Sequence, residues 1–257
     1  MNIELSLYSN VLGKNVSVRV LYPHRCTSYA YQNENLSEEP YQVLYLLHGL
    51  GDDYTFWSKR TCIESYVESR NLVVVMPDGD VSWYCDMYRG RNYFTYITDE
   101  LPGQIRRIFC NISDQRADTF IGGASMGGYG AFRAAMAFPE RYGKAFSFSG
   151  ALDIDALLPF IEREILENAM GPIEQALAGE ENPYVLAEHL CSSGKIPPNF
   201  YMWCGYEDFL YTANVKFQTH MKQLGLPLEY HEGEGAHTWP CWEGQLQRVL
   251  DWLTKGI

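Results

Sequence analysis

At 257 residues, with 46% of them hydrophobic, the chain is long enough for one α/β domain with a large core, read here as a single domain over 1–257. Lys and Arg total 20 against 32 Asp and Glu, and the formal charge of −12 repels nucleic-acid phosphates and anionic membrane surfaces, so neither is expected as a partner. No stretch approaches the ~20 apolar residues that span a bilayer, and the opening MNIELSLYSN has neither the basic nor the apolar region of a secretion signal, so a cytoplasmic protein is expected.

In chain order, apolar, β-branched or aromatic runs fall at 16–21, 43–47, 72–76, 119–121, 145–148, 200–203 and 228–231. Most are too uniformly apolar to leave one face in water, as expected for a parallel sheet covered on both sides. Helical patterns lie between them at 61–69, 96–108, 126–138, 212–224 and 241–253. This alternation predicts an α/β fold with a mostly parallel sheet of about eight strands. The polar stretch 24–40 reads as a surface loop. Two further amphipathic stretches, 156–170 and 173–190, are either ordinary flanking helices or a helical insertion around 153–192 near the mouth of a site.

Seven cysteines, Cys26, Cys62, Cys85, Cys110, Cys191, Cys204 and Cys241, are odd in number and contain no Cys-x-x-Cys pair, which suits free thiols in a reducing compartment. No pair of ligand residues has zinc-type spacing, so neither a metal nor another cofactor is expected. The odd thiol and the aromatic richness leave a homo-oligomer open.

The chemistry centres on Gly123-Ala124-Ser125-Met126-Gly127, between a strand pattern and a helix pattern. Gly-x-Ser-x-Gly in that context is a nucleophile elbow: a tight turn thrusts the serine hydroxyl outward, and a Cβ at either glycine would strike the adjoining strand or helix. A serine hydroxyl needs a base to take its proton and an acid to orient that base, and on such a sheet they follow in the order Ser, acid, His. Asp208 directly follows the run 200–203, and His237 lies in a glycine-rich loop past the run 228–231. Glu207 and Asp153 compete as the acid, and His231 competes as the base from inside a strand pattern. His24, His189 and His220 read as surface or capping residues. The oxyanion of the intermediate needs amide donors. Met126 N–H is one, and Leu50 N–H, between Gly49 and Gly51, is the candidate for the other. His48 reads as a turn-stabilising residue.

Trp57, Trp83, Tyr84, Tyr93 and Trp239 cluster in segments that should approach Ser125. They read either as walls of an aromatic cleft, with Trp57, Tyr84 and Trp239 as candidate substrate contacts, or as core packing. The loop after residue 82 is expected to set specificity, with Asp86 and Arg89 contacting substrate or forming a surface ion pair.

The succession LLHGLGDDYTFW, VVVMPDGDVSWY, TFIGGASMGGYGAF, WCGYEDFL and GAHTWPCWE resembles an esterase family of α/β hydrolases. That family includes tributyrin esterases, S-formylglutathione hydrolases, feruloyl and acetyl-sugar esterases, and mycobacterial mycolyltransferases, with the small tributyrin-esterase branch the nearest in pattern. The resemblance implies an α/β-hydrolase fold, Ser125 as nucleophile, Asp208 as acid, His237 as base, and Leu50 and Met126 at the oxyanion hole. It implies a serine carboxylesterase acting on small short-chain acyl or aryl esters. Alternatives on the same residues are an S-formylglutathione hydrolase, a feruloyl or acetyl-carbohydrate esterase, or an acyltransferase. His-Gly-Leu-Gly-Asp replaces the Ser-Gly-Leu-Thr-Cys type of turn usual in S-formylglutathione hydrolases, which ranks the thioester lower. The lack of a leader ranks mycolyl transfer lower.

Overall fold

A computed structural model describes residues 1–23 and 39–255; most of the expected 24–40 loop, with His24 and Cys26, lies outside the described residues. The strands are β1 Asn2–Ser9, β2 Lys14–Leu21, β3 Gln42–Leu47, β4 Leu72–Pro77, β5 Thr119–Ala124, β6 Lys144–Phe148, β7 Asn199–Gly205 and β8 Leu228–Gly233. They form one 8-stranded sheet in the order β1-β2-β4-β3-β5-β6-β7-β8. The pairs β1–β2 and β2–β4 are antiparallel and the rest parallel. Strands β4, β5 and β6 are buried at every position, as expected of parallel strands covered on both faces. Strand β1 was not among the expected elements. It is an edge strand whose exposed positions alternate with Ile3, Leu5 and Leu7, so its signal is a period of two rather than a run.

The helices are α1 Phe56–Arg60, α2 Ile63–Glu68, α3 Tyr93–Thr95, α4 Leu101–Ile108, α5 Met126–Ala137, α6 Ile154–Leu157, α7 Arg163–Met170, α8 Ile173–Ala178, α9 Pro183–Ser192, α10 Tyr211–Gln223 and α11 Trp239–Thr254. A π-helical turn over Tyr96–Glu100 joins α3 to α4. The expected helix 173–190 is broken between α8 and α9, where Asn182 Oδ1 accepts from Tyr184 N (3.1 Å) and Pro183 opens the next helix.

The sheet separates two cores. On one face α1, α2 and α11 pack Trp57, Ile63, Val67, Trp242, Leu246 and Leu250 against Leu44, Leu46, Val74 and Phe120. On the other, α4, α5 and α7–α10 bury Leu101, Phe132, Leu166, Leu186 and Phe217 against Val43, Tyr45, Val73, Val75 and Ile121. The C-terminal end of α11 is tied down: Lys144 Nζ donates to the carbonyls of Trp252 (2.9 Å), Leu253 (3.0 Å) and Lys255 (2.7 Å), placing a cation at the negative end of the helix. That matters for the site, because α11 begins two residues after His237.

Candidate active site

Ser125 leaves β5 with φ 56° and ψ −119°, in a region that costs a non-glycine residue on the order of 1–3 kcal/mol. The surroundings hold it there. Ser125 N donates to Phe148 O (2.9 Å), and Ser125 O accepts from Tyr129 N (3.1 Å) and Ala151 N (3.2 Å). The glycines are sterically required: a Cβ on Gly127 would stand 2.3 Å from Leu47 O, and one on Gly123 would stand 2.6 Å from the same oxygen. Ser125 is partly exposed, and its Oγ has no hydrogen-bond partner among the described residues. Catalytic hydrogen bonds in resting sites are often long and tighten when substrate binds.

Strands β5, β7 and β8 run parallel, so the loops after them open on the same edge of the sheet as the elbow. From two of these loops Asp208 and His237 meet: His237 Nδ1 lies 3.0 Å from Asp208 Oδ1 and 2.9 Å from Oδ2. The Asp208 side chain is 0% exposed and the imidazole 19%. A carboxylate accepts only, so Nδ1 carries the imidazole proton and Nε2 is left basic. Leu210 N donates a further bond to Asp208 Oδ1 (2.8 Å). The two loops touch through glycines, since a Cβ on Gly205 would lie 2.0 Å from Gly235 O. Burial, followed by the Asp208 carboxylate, raises the pKa of the neighbouring Cys204 thiol, so no competing thiolate forms there.

The rivals are occupied elsewhere. The Glu207 carboxylate accepts from Gly235 N and fastens the His237 loop. Asp153 caps α6, accepting from Ala156 N (3.3 Å). His231 pairs with Glu229 (2.7 Å), and His189 on α9 and His220 on α10 face Glu180 and Glu188.

The turn after β3 is fastened carbonyl by carbonyl. Trp57 Nε1 donates to Leu47 O (3.0 Å), Tyr84 Oη to His48 O (3.0 Å), and His48 Nδ1 to Gly49 O (2.8 Å), which also accepts from Asp52 N (3.2 Å). Gly79 N donates to His48 Nε2 (2.9 Å), so that nitrogen is unprotonated and the buried ring is neutral with its proton on Nδ1. Burial raises the carboxyl pKa of Asp52 at this turn. The turn lies beside the nucleophile, a Cβ on Gly49 falling 3.8 Å from Ser125 Cβ. Neither Leu50 N–H nor Met126 N–H has an acceptor among the described residues.

These contacts engage two of the expected substrate contacts inside the fold. Trp57 and Tyr84 are each 1% exposed and have their polar atoms committed to the β3 turn. The Tyr84 ring is wedged against Gly79 and Gly130, where an added Cβ would lie 2.3 Å and 2.5 Å from it. Trp239 keeps partial exposure and packs edge-on to Trp57 (4.9 Å) and Trp242 (5.2 Å). Of the two readings of Asp86 and Arg89, the ion pair is not formed among the described residues; Asp86 accepts from Thr95 N (2.9 Å) and Thr95 Oγ1 (2.6 Å). Buried Arg133 braces the same loop, donating to Tyr84 O (3.2 Å) and pairing with Glu181 (3.2 Å). Sequence reasoning missed Phe209, which follows the candidate acid and lies 4.6 Å from the His237 ring. Its position next to Asp208 was the available signal.

The strand order and the strained serine elbow define the class of protein: an α/β hydrolase. The profile of the family described as "Putative esterase" matches residues 9–253. The chain belongs to that esterase family and is a carboxylic ester hydrolase. It is 28% identical over 262 residues to an acetyl esterase of Caldicellulosiruptor saccharolyticus, covering 98% of both chains. Among solved structures, the fluorophosphonate-binding serine hydrolase F of Staphylococcus aureus is 29% identical with a TM-score of 0.89, over 99% of this chain and 98% of that one. The S-formylglutathione hydrolase FrmB of the same organism is 30% identical with a TM-score of 0.87, over 99% of each. No helix among the described residues is long and apolar enough to cross a membrane.

Proposed function

We propose that the protein hydrolyses short-chain acyl or aryl esters through an acyl-enzyme on Ser125. His237 Nε2 takes the Ser125 proton as Oγ attacks the ester carbonyl carbon, and the charge collects on the carbonyl oxygen. Leu50 and Met126 N–H receive that oxyanion. In a trans peptide the C=O and N–H point opposite ways, so His48 and Asp52 N, by holding Gly49 O, direct the Leu50 amide to the other side. Donors of this kind are each worth roughly 10²- to 10³-fold in rate. Collapse of the intermediate breaks the bond to the leaving oxygen, which takes the proton from His237 Nε2 and departs as alcohol. Water then attacks the acyl-enzyme, giving a proton to His237; that proton returns to Ser125 Oγ as the carboxylic acid leaves.

The observation that carries this reading is the two-oxygen contact of buried Asp208 with His237, on the sheet edge where the Ser125 elbow stands. The helices between β6 and β7, around 153–192, form one wall of the cleft in this reading. A reducing, cytoplasmic setting is supported by free Cys62, Cys85, Cys110, Cys191, Cys204 and Cys241.

The test is a p-nitrophenyl ester series from acetate to decanoate, run beside S-formylglutathione and methyl ferulate, with Ser125→Ala as the blank. Cleavage dependent on Ser125 and strongest for the short acyl groups is expected, and full activity of Ser125→Ala sinks the assignment. The likeness to the S-formylglutathione hydrolase of Staphylococcus aureus favours a second reading, a glutathione thioester as substrate. Preference for S-formylglutathione in this panel selects it.

A further inference from the structure

Beside the candidate base stands a pair of aromatic rings that the fold leaves in water. Phe160, in the turn between α6 and α7, is 55% exposed, and Phe209, next to Asp208, is 43% exposed. Their ring centroids are 4.6 Å apart at 52°, and Phe209 in turn lies 4.6 Å from the His237 ring at 50°. Two segments far apart in sequence thus present apolar surface at one spot, where solvation favours covering it. The other aromatic neighbour of His237 is Trp242, edge-on at 5.0 Å, which is buried and donates through Nε1 to Ser149 Oγ (3.0 Å). On the Phe209 side the ring beside the imidazole is exposed, and on the Trp242 side it is buried.

The chemistry says which half of an ester meets that side. Because Nδ1 is committed to Asp208, proton delivery to the leaving oxygen falls to Nε2, which must come within about 3 Å of it. The carbonyl oxygen is taken up by the Leu50 and Met126 amides. The substituent brought alongside the imidazole is therefore the one on the leaving oxygen. We propose that Phe160 and Phe209 form the subsite for the alcohol half of the ester, and that it takes an aromatic ring carried one or two atoms beyond the leaving oxygen. Such a ring joins the pair as a third member at the 4.5–7 Å centroid spacing that aromatic rings prefer. This inference rests on the serine-esterase reading of the site.

Ethyl acetate, benzyl acetate and ethyl phenylacetate separate the possibilities, since the aromatic ring is absent, on the alcohol, or on the acyl group. The quantities are the kcat/KM ratios of the two aryl esters to ethyl acetate, in wild type, Phe160→Ser and Phe209→Ser. Phe160→Ser leads, because Phe160 makes no ring contact with His237 and an exposed position tolerates truncation. The benzyl acetate ratio is expected to fall about three- to tenfold in both variants, while the ethyl phenylacetate ratio holds. In wild type, added benzyl alcohol should divert the acetyl-enzyme to benzyl acetate better than ethanol does, and Phe160→Ser should remove that advantage. A fall in the ethyl phenylacetate ratio instead places the pair on the acyl side and overturns the proposal. Unchanged ratios overturn it as well, including the case in which size-exclusion chromatography with light scattering shows that the substitution only dissociates an oligomer. Turnover of none of the esters by wild type is a different result, which brings down the serine-esterase reading together with this subsite.

Discussion

The turn after β3 and the rim formed by Phe160 and Phe209 beside His237 are built in opposite ways. In the turn, the carbonyls of Leu47, His48 and Gly49 are each taken by a donor, from Trp57, Tyr84 and His48 respectively, and all three of those side chains are buried. At the rim, rings pack on one another with much of their surface in water. Stabilising a developing negative charge requires dipoles that are already in place and do not reorganise during the reaction. Accepting an ester requires apolar surface that is free until the substrate covers it. Burial and strain are concentrated at the β3 turn and the elbow, and exposure at the rim.

Substitutions test this contrast, and the largest effects belong to the buried side. Asp208→Asn removes the group that fixes the proton on His237 Nδ1, and kcat/KM for a short ester should fall on the order of 10⁴-fold with the circular-dichroism spectrum unchanged. A variant within tenfold of wild type would transfer the acid role to another carboxylate. Gly127→Ala forces a Cβ to 2.3 Å from Leu47 O, and neither backbone can yield without moving the elbow. Its thermal midpoint should drop by the equivalent of about 3 kcal/mol or more, with esterase activity lost; a wild-type melting curve would mean that the helix shifts freely.

A smaller effect is expected from Tyr84→Phe, which deletes the bond to His48 O while keeping the ring between Gly79 and Gly130. We expect a stability loss of about 1 kcal/mol and a several-fold fall in kcat at constant KM, because the turn positions an oxyanion donor rather than the ground-state ester. A change confined to KM would contradict that role. His48→Asn, which retains a donor near the Nδ1 position, should keep more kcat than His48→Gln, which does not. The smallest effect is on the rim, where Phe160→Ser should leave the unfolding free energy within about 0.5 kcal/mol of wild type. A larger loss, measured by urea denaturation, would make the ring part of the core.

Much of this arrangement was legible because the relevant signals are local. The elbow is five residues long, and its glycines answer to a clash that any strand-turn-helix reversal would produce. Asp208 and His237 stood out because each lies in the loop after a strand-like run, and a loop after a parallel strand can open only on one edge of the sheet. Other features are not local. Strand β1 is half in water and, among the described residues, pairs with β2 alone, so its signal is weak alternation. The breaks between α6 and α7 and between α8 and α9 interrupt amphipathic patterns that run on through the sequence.

The sequence by itself determined the parallel α/β architecture, the serine elbow and the chain order of the candidate acid and base, since each depends on residue periodicity or on sterics within a few neighbouring residues. Only the tertiary structure decided which aromatic rings are covered. Trp57 and Tyr84 are buried and each donates to a carbonyl of the β3 turn, whereas Phe160 and Phe209 are exposed. Whether a ring is covered depends on segments some 50 residues away in the chain, and packing at that range leaves no periodic trace in the sequence.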